Sequence, residues 1–458
     1  SKTQIDIFRK VWDGESYVAI ATSLGYEHGY VKDTGAQLWR LLSKVLGKKV
    51  TKSNVRNILC SLSHQVVTNQ TSTADPNQSW GEAADISRFY GRGEEQSRLE
   101  AWLVQERCRL VSILGIGGVG KTALSVKLAK QVQSQFNYVA WRTLRQAPPL
   151  LEVLSELILF FSDQQDTQVP DTAAKQIEQL LSYLREKKCL LVLDNFESIL
   201  KTGDRTGKYR HGYEDYGLLL ERIADGAHQS CLVITSREKP MGLAYREMDG
   251  GKVRSHLLTG LTPTASEEIL NTLGIQGSGQ QQLITRYSGN PLALKIVAAT
   301  IRSVFAGDVA EFLDYGTVVF GDLWDLLDQQ FNRLSALEQT VMRWLAINRE
   351  WTSLKELRAD IVPAVSHRAL LEAVESLKAR CLVETSRAGI TQQPVVMEYM
   401  TERLVEQFYQ EISEQDYQLF SQYALLKANA KEFVREAQIR QLSQPLLEKL
   451  LNALGSTI

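Results

Sequence analysis

Residues 110–128 read LVSILGIGGVGKTALSVKL, and this stretch decides the fold. The apolar run from Leu110 to Leu114 predicts a buried strand that ends at Gly115. A glycine-rich loop follows and leads into a segment with the apolar periodicity of a helix. A strand, a glycine loop and a helix in this order are the setting of the phosphate-binding motif G-x-x-x-x-G-K-[ST]. A chance glycine-rich turn is the alternative, and the flanking strand and helix disfavour it.

The residues of the loop have distinct predicted tasks. Glycines allow the backbone to wrap closely around phosphates, and the N–H groups at the helix N-terminus face the anion. The Lys121 amine is predicted to reach the β- and γ-phosphates, and the Thr122 hydroxyl is placed to ligate Mg²⁺. The predicted phosphate-binding residues are Gly117, Gly118, Val119, Gly120, Lys121, Thr122 and Ala123.

Composition narrows the class of protein. A chain of 458 residues predicts several domains, and 44% hydrophobic residues are enough for well-packed cores. The net charge of −1 argues against a chain that binds polyanions along its whole length. The sequence contains no apolar run long enough for a transmembrane helix, and SKTQIDIFRK lacks the apolar centre of a signal peptide. The five cysteines are scattered without metal-site spacing, which predicts a reducing cytoplasm.

Residues 1–67 predict a small all-helical module of the helix-turn-helix kind. Gly25 suits the sharp turn between the first two helices of that motif. Two interpretations stay open. The second helix reads DNA, or the module is a helical adaptor that binds an effector protein. Few basic residues on the presumed recognition helix slightly favour the adaptor. That helix would present His28, Lys32 and Asp33, and a third helix would contain Trp39, Leu42 and Leu46.

Beyond a polar stretch predicted to be a linker, 68–85, strand-like runs alternate with helical patterns. This alternation predicts a parallel, doubly wound sheet. Besides the run before the glycine loop, the predicted strands are 138–141, 189–194, 231–235 and about 255–258, and the predicted helices are 122–134, 150–161, 173–186 and 216–225.

Two of these strands end in residues with useful chemistry. LLVLD ends at Asp194, at the carboxyl end of a buried strand, where ligands bind in such sheets. Asp194 is therefore predicted to hold the Mg²⁺ shell. In CLVITSRE, Arg237 follows the strand and is predicted to meet the charge of a γ-phosphate. A merely solvated arginine is the alternative.

From residue 260 the pattern is helical. GNPLAL begins a helix with Pro291 near its first turn, and 322–347 predicts two amphipathic helices. CLVET (381–385) and GITQQPVV (389–396) predict two short strands. Helices followed by a small hairpin predict a winged helix.

The elements GRGEE, GIGGVGKT, LLVLDN, VITSRE and GNPLAL, followed by a winged helix, occur in this order. The chain thereby resembles the STAND ATPases, within the NB-ARC branch shared by plant disease-resistance proteins and animal apoptosome ATPases. The resemblance covers about residues 86–410, and the N-terminal module resembles the helix-turn-helix domain of bacterial, notably cyanobacterial, members. The implied domains are 1–67 (helix-turn-helix), 68–85 (linker), 86–259 (P-loop domain), 260–320 (helical), 321–410 (winged helix) and 411–458 (C-terminal helices).

The resemblance implies a function as well as a fold. It implies a five-stranded parallel sheet in which the Arg237 strand lies between those of the glycine loop and Asp194. It implies a slow ATPase used as a signalling switch: ADP holds a closed off state, and ATP opens the protein and drives self-oligomerisation. Residues 1–67 would relay the signal to an effector protein, with bacterial defence or stress signalling as the expected setting. The alternative is an ATP-dependent transcription regulator that binds DNA.

The resemblance also assigns residues to the site. Tyr90 and Arg92 would line the adenine side, and Pro291 would pack near the adenine. Gly120, Lys121 and Thr122 would hold phosphates. Asp194 would serve Mg²⁺, and Arg237 would sense the γ-phosphate.

Two positions depart from the family pattern. The family often has a second acid after Asp194, whereas this chain has Asn195, so hydrolysis is expected to be slow with Glu197 as the nearby acid. The winged helix usually carries a Met-His-Asp-type motif whose histidine touches the ADP β-phosphate. The best match here sets Gln393 at that histidine, and an alternative match through Met397 sets Glu398 there. Glutamine can still donate a hydrogen bond but carries no charge.

Overall fold

The structure, a computed structural model, describes residues 3, 8, 10–11, 17–46, 51, 77–165, 169–203, 207–247, 251–277, 279–315, 321–427 and 430–455. The chain divides into two compact units, Ser1–Asp75 and Pro76–Ile458. The division falls inside the predicted linker 68–85.

Within residues 17–46, the longest described part of the first unit, lie α1 (Tyr17–Leu24) and α2 (His28–Leu46). Gly25 lies between them with a φ of 70°, which is the left-handed turn that a glycine adopts without strain. The predicted second and third helices are one continuous helix, α2, because its apolar side chains share one buried stripe. Of the predicted first helix, Ile5 and Trp12 lie outside the described residues.

The second unit is built on a parallel sheet of six strands in the order β1-β3-β4-β5-β2-β6. β5 lies between β4 and β2, as the resemblance implies. The sixth strand, β1, lies within the predicted linker 68–85 and pairs with β3 at the sheet edge. The strands are β1 (Gln78–Ser79), β2 (Leu110–Leu114), β3 (Tyr138–Thr143), β4 (Cys189–Asp194), β5 (Cys231–Ser236) and β6 (Val253–Leu257).

Helices cover both faces of this sheet. In β4, Leu191 and Leu193 enter one apolar core, whereas Leu190 and Val192 enter a second core on the other face. This alternation explains why the strand is a continuous apolar run. The doubly wound sheet is thereby confirmed. Its helices are α3 (Gly93–Glu100), α4 (Lys121–Val132), α5 (Leu150–Phe161), α6 (Ala173–Glu186), α7 (Asp215–Asp225) and α8 (Leu243–Glu247).

The rest of the unit is helical and shares one apolar core from Leu261 to Leu446. Helices α9 (Pro263–Thr272), α10 (Gln280–Arg286), α11 (Pro291–Val304) and α12 (Val309–Tyr315) come first. The winged helix has α13 (Gly321–Phe331), α14 (Ala336–Asn348), α15 (Leu354–Asp360), α16 (His367–Ala379) and an antiparallel hairpin of β7 (Val383–Ser386) and β8 (Gly389–Gln392). Helices α17 (Pro394–Glu414), α18 (Glu432–Gln438) and α19 (Gln444–Gly455) complete the unit.

The predicted second strand of the winged helix is shorter than expected. It ends at Gln392, and Pro394 begins α17. Proline suits the first helical position because the N–H group it lacks would have no partner there. Among the described residues, no helix is both long and apolar enough to cross a membrane.

Candidate nucleotide-binding site

The glycine loop connects β2 to α4, as its sequence predicts. Gly118 and Gly120 have φ values of 77° and 100°, a left-handed backbone that side chains disfavour. The predicted phosphate-binding residues run through the loop into the first turn of α4. The backbone N–H groups of this helix start are free of intrahelical partners by geometry, so they suit an anion.

Lys121 is buried at the start of α4. Its amine donates to the Gly115 carbonyl at 2.9 Å and to the Ile116 carbonyl at 3.0 Å. Burial lowers the pKa of Lys121, although the Glu197 carboxylate opposes that shift. A nearby phosphate charge would favour the protonated amine, so the position suits a nucleoside polyphosphate.

Asp194 is brought next to Thr122 at the carboxyl end of β4. The Thr122 hydroxyl lies 2.9 Å from Asp194 Oδ1 and 3.1 Å from Oδ2. The Thr235 hydroxyl donates to Asp194 Oδ1 at 2.5 Å and so orients the carboxylate. Burial raises the pKa of Asp194, and the two threonine hydrogen bonds counteract the shift. Carboxylate and hydroxyl oxygens fit Mg²⁺, which takes its remaining ligands from phosphates and water.

Arg237 and Glu197 form an ion pair that the sequence does not reveal. Arg237 Nε lies 3.2 Å from Glu197 Oε1, and the Arg237 backbone N–H donates to Glu197 Oε2 at 3.2 Å. Glu197 is 5% exposed, so its carboxylate is buried against this arginine. Asn195 lies beside them with its Nδ2 3.5 Å from Glu197 Oε1. Glu197, the acid near Asn195, thus forms an ion pair with Arg237.

Arg92, which is predicted to line the adenine side of the nucleotide site, connects the start of α3 to the glycine loop by hydrogen bonds. Its guanidinium donates to the carbonyls of Val119 at 3.1 Å and Thr259 at 2.6 Å, and it pairs with Glu95 at 2.7 Å. These bonds use much of its donor capacity, so its contact with adenine stays a prediction. Tyr90 packs against the large helical core, and its role also stays a prediction.

The start of α11 reaches the glycine loop through Asn290. Asn290 Nδ2 donates to the Gly117 carbonyl at 3.1 Å, while its Oδ1 accepts from Leu292 N–H at the helix start. Pro291 occupies the first turn of α11, as predicted. The element GNPLAL contains Asn290 but does not predict its contact with the glycine loop, although an asparagine before proline is a recognisable helix cap.

The winged helix approaches the glycine loop through Leu326 and Cys381. A Cβ atom at Gly117 would lie 2.9 Å from Leu326, and Cys381 shares an apolar core with Ile116. Burial raises the pKa of the Cys381 thiol to about 12. Gln393 precedes α17 without a side-chain capping bond, so its predicted role at a β-phosphate stays a prediction. In the alternative match, Glu398 pairs with Arg349 at 3.1 Å.

Two known domain families match the chain. The N-terminal helix-turn-helix of vWA-MoxR associated proteins matches residues 1–62, and the NB-ARC domain matches residues 93–200. The chain carries an NB-ARC domain. The resemblance to the NB-ARC branch and the N-terminal helix-turn-helix is confirmed. The match includes the glycine loop and Asp194, whereas Arg237 lies after it.

Relatives of this chain occur in bacteria and plants. An uncharacterised WD repeat-containing protein of Nostoc sp. is 46% identical over 432 residues, which are 84% of this chain and 34% of that protein. The disease resistance protein RPM1 of Arabidopsis thaliana is 28% identical over 136 residues, which are 28% of this chain and 13% of that protein. This chain thus spans about one third or less of the length of these relatives.

Solved structures with similarity to this chain include two archaeal ATPases. The Walker-type ATPase of Pyrococcus abyssi aligns with a TM-score of 0.48 and 14% identity over 68% of this chain and 96% of that chain. A STAND protein with a tetratricopeptide repeat sensor from Pyrococcus horikoshii aligns with a TM-score of 0.36 and 14% identity over 74% of this chain and 48% of that one.

Proposed function

We propose that this protein is a nucleotide-dependent signalling switch that binds ADP or ATP with Mg²⁺. The contact of Thr122 with Asp194 carries the proposal, because it joins the glycine loop to the strand end where a metal-bound phosphate would lie. The NB-ARC match supports a nucleotide-dependent signalling ATPase. The finer proposal is an ADP-bound closed off state and an ATP-bound open state that oligomerises.

The closed state draws support from contacts around the glycine loop. Leu292 N–H donates to the Gly118 carbonyl at 3.3 Å, and Leu326 of the winged helix lies against Gly117. A nucleotide in this loop would be flanked by the P-loop domain, α11 and the winged helix. Its release would then require these parts to separate, which is the physical basis of a slow switch.

The purified protein is expected to carry ADP, because burial between these parts slows release. The measurement is chromatography of the supernatant after heat denaturation, with protein concentration determined on the same sample. A Lys121→Ala preparation, which lacks the phosphate-binding amine, is the control and should contain less nucleotide. Finding GDP, or no nucleotide in the wild type, would contradict the proposal.

We also propose that hydrolysis is slow because position 195 lacks an acid. Asn195→Asp is expected to raise the steady-state rate, since a general base typically contributes about 10²–10⁴-fold and a grafted one less. Asn195 has a φ of 61°, a conformation that aspartate also tolerates, so the backbone should be retained.

Phosphate release in the presence of ATP and Mg²⁺ measures this effect. Asn195→Ala is the matched control, because it removes the amide without adding a carboxylate. A rate that stays flat in Asn195→Asp would mean that an acid at this position does not limit hydrolysis. Repulsion from Glu197, 3.5 Å from the present amide, would then be the first cause to examine.

The N-terminal module is proposed to bind an effector protein. Tyr30 and Leu41 on α2 are 51% and 55% exposed, and Asp33 lies on the same side of the helix. Exposed aromatic and aliphatic side chains with an acid suit a protein partner better than a phosphate backbone. The family name of the matching helix-turn-helix, vWA-MoxR associated protein, supports a protein-linked role. The disease-resistance names of the plant relatives support a defence setting.

Binding of labelled duplex DNA to the full chain at increasing salt separates this proposal from the alternative of a DNA-binding regulator. We expect no complex at physiological salt. Tight binding that weakens steeply with salt would indicate phosphate contacts and favour the regulator. Lys32→Glu provides a check, because it should weaken any DNA complex that uses the predicted recognition helix.

A further inference from the structure

Glu238, the residue after Arg237, is buried between two arginines of the winged-helix segment. Its side chain is 2% exposed. One carboxylate oxygen contacts the Arg333 guanidinium, and the other lies 2.8 Å from Arg380 Nη1. Glu238 is the last residue of the element VITSRE, which assigns it no role. A carboxylate buried this deeply would be costly without charged partners.

Each of the two arginines has a second attachment. Arg380, at the end of α16, also lies 3.3 Å from Glu338 Oε1 on α14. Arg333, after α13, donates to the Glu197 carbonyl at 2.9 Å. A backbone hydrogen bond joins the same two segments, since Gly203 N–H donates to the Arg333 carbonyl at 2.7 Å.

These contacts connect two different parts of the molecule. Glu238 and Glu197 belong to the P-loop domain, whereas Arg333, Arg380 and Glu338 belong to the winged-helix segment. If the two parts separated, Arg380 would keep Glu338, but Glu238 would lose both of its cationic partners. Glu238 is therefore the acid whose charge depends on the closed arrangement.

The same arginines lie close to the predicted γ-phosphate sensor. Arg237, Arg333 and Arg380 line one small cavity together with Glu238 and Gln330. An anion held by Arg237 would add negative charge at this cavity and compete with Glu238 for the two arginines. A movement of Arg237 would also displace Glu238 directly, because the two residues are adjacent in the chain.

We propose that Glu238, Arg333 and Arg380 form an electrostatic latch that holds the winged helix against the end of β5. The inference rests on the proposed switch function and gives it a specific closing contact. The latch does not require a histidine at position 393, so this chain can close without the charged motif that it lacks. An anion at Arg237 weakens the latch and thereby favours opening.

The test compares two buried arginines of the winged helix that differ in what they contact. Arg380→Met breaks the contact with the P-loop domain together with the Glu338 pair, whereas Arg349→Met removes an ion pair with Glu398 that lies inside the winged helix. The two arginine side chains are 5% and 8% exposed, so the controls are matched in burial. Glu238→Gln removes the charge from the other side of the junction while keeping the side-chain size.

Hydrogen–deuterium exchange of the nucleotide-free full chain reports the latch directly. Two peptides are followed, one that contains Gly203 and one that covers residues 376–383. Their backbone amides should exchange about 5–150-fold faster in Glu238→Gln and Arg380→Met than in the wild type, which is the usual range of coupling between sites. In Arg349→Met the Gly203 peptide should keep the wild-type rate. Equal protection of Gly203 in the wild type and both latch variants overturns the proposal.

Release of fluorescent ADP is the second readout. We expect release about 5–150-fold faster in both latch variants, with the wild-type rate in Arg349→Met. Circular dichroism establishes whether each variant folds. If Arg380→Met does not fold, Arg333→Gln replaces it. Arg333 also contacts Glu238, and because its side chain is 20% exposed its substitution should disturb the core less. A wild type that binds no ADP refutes the proposed function, whereas the exchange of Gly203 still decides whether the latch exists.

Discussion

Lys121→Ala is expected to weaken the binding of both ADP and ATP by about 10–150-fold, because a charge-assisted hydrogen bond contributes about 1.5–3 kcal/mol. In the structure the Lys121 amine is buried against the glycine loop and donates hydrogen bonds to the Gly115 and Ile116 carbonyls. Alanine keeps the helix start and removes the only charge that the loop itself offers to phosphates. Isothermal titration of the nucleotide-free chain with each nucleotide measures the loss.

The matched control for this variant is Lys127→Ala. Lys127 lies on the same helix with its side chain exposed, so its removal changes the net charge equally without touching the loop. The control should bind both nucleotides like the wild type. Equal affinities in Lys121→Ala and the wild type would exclude Lys121 from the site.

Arg237→Ala is expected to separate ATP binding from ADP binding. ADP has no γ-phosphate and would keep its contacts with the glycine loop and Lys121, so its affinity should be retained. ATP should lose about 10–150-fold in affinity, the value of one charge-assisted hydrogen bond. A ligand shifts a conformational equilibrium only by its differential affinity for the two states. ATP should therefore no longer drive opening or assembly of the variant.

Light scattering coupled to size exclusion, with ATP and Mg²⁺, measures assembly, and titration measures both affinities. The exposed Arg222 of α7 supplies the control Arg222→Ala, which should assemble normally. Because Arg237→Ala leaves the buried Glu197 carboxylate without its cationic partner, the double variant Glu197→Gln/Arg237→Ala is included. Loss of ADP binding in both would make Arg237 a structural residue, and normal assembly with ATP would remove its sensing role.

The parts of the site that the sequence predicts are those with a local signature. The glycine loop follows a buried strand and precedes a helix within one short stretch, and each of these features is visible as apolar periodicity or as glycines. The acid at the end of β4 is visible in the same way, because a parallel strand buried on both faces is a continuous apolar run that ends where the chain meets solvent. The position of Arg237 after β5 follows from the same pattern.

The N-terminal module illustrates where local signals are insufficient. Gly25 marks the turn correctly, but the boundary between the predicted second and third helices does not exist, since α2 continues from His28 to Leu46. In the winged helix the apolar pair after Pro394 looks like the end of a strand and is the start of α17. In both cases the apolar residues are buried by tertiary contacts, and burial alone does not distinguish a helix from a strand over a few residues.

By itself the sequence determined the doubly wound sheet, the glycine loop and the residues at the ends of β4 and β5, because periodicity and glycine placement are properties of neighbouring residues. Only the tertiary structure decided the pairing of those residues. Thr235 reaches Asp194 across 41 residues, and Arg333 reaches Glu238 across 95. Glu197 turns toward Arg237 rather than toward solvent. The sequence states which side chains are charged, but packing decides which of them come within a few ångströms of each other. At those buried positions the loss of hydration makes an unpaired charge costly, so the choice of partner affects stability.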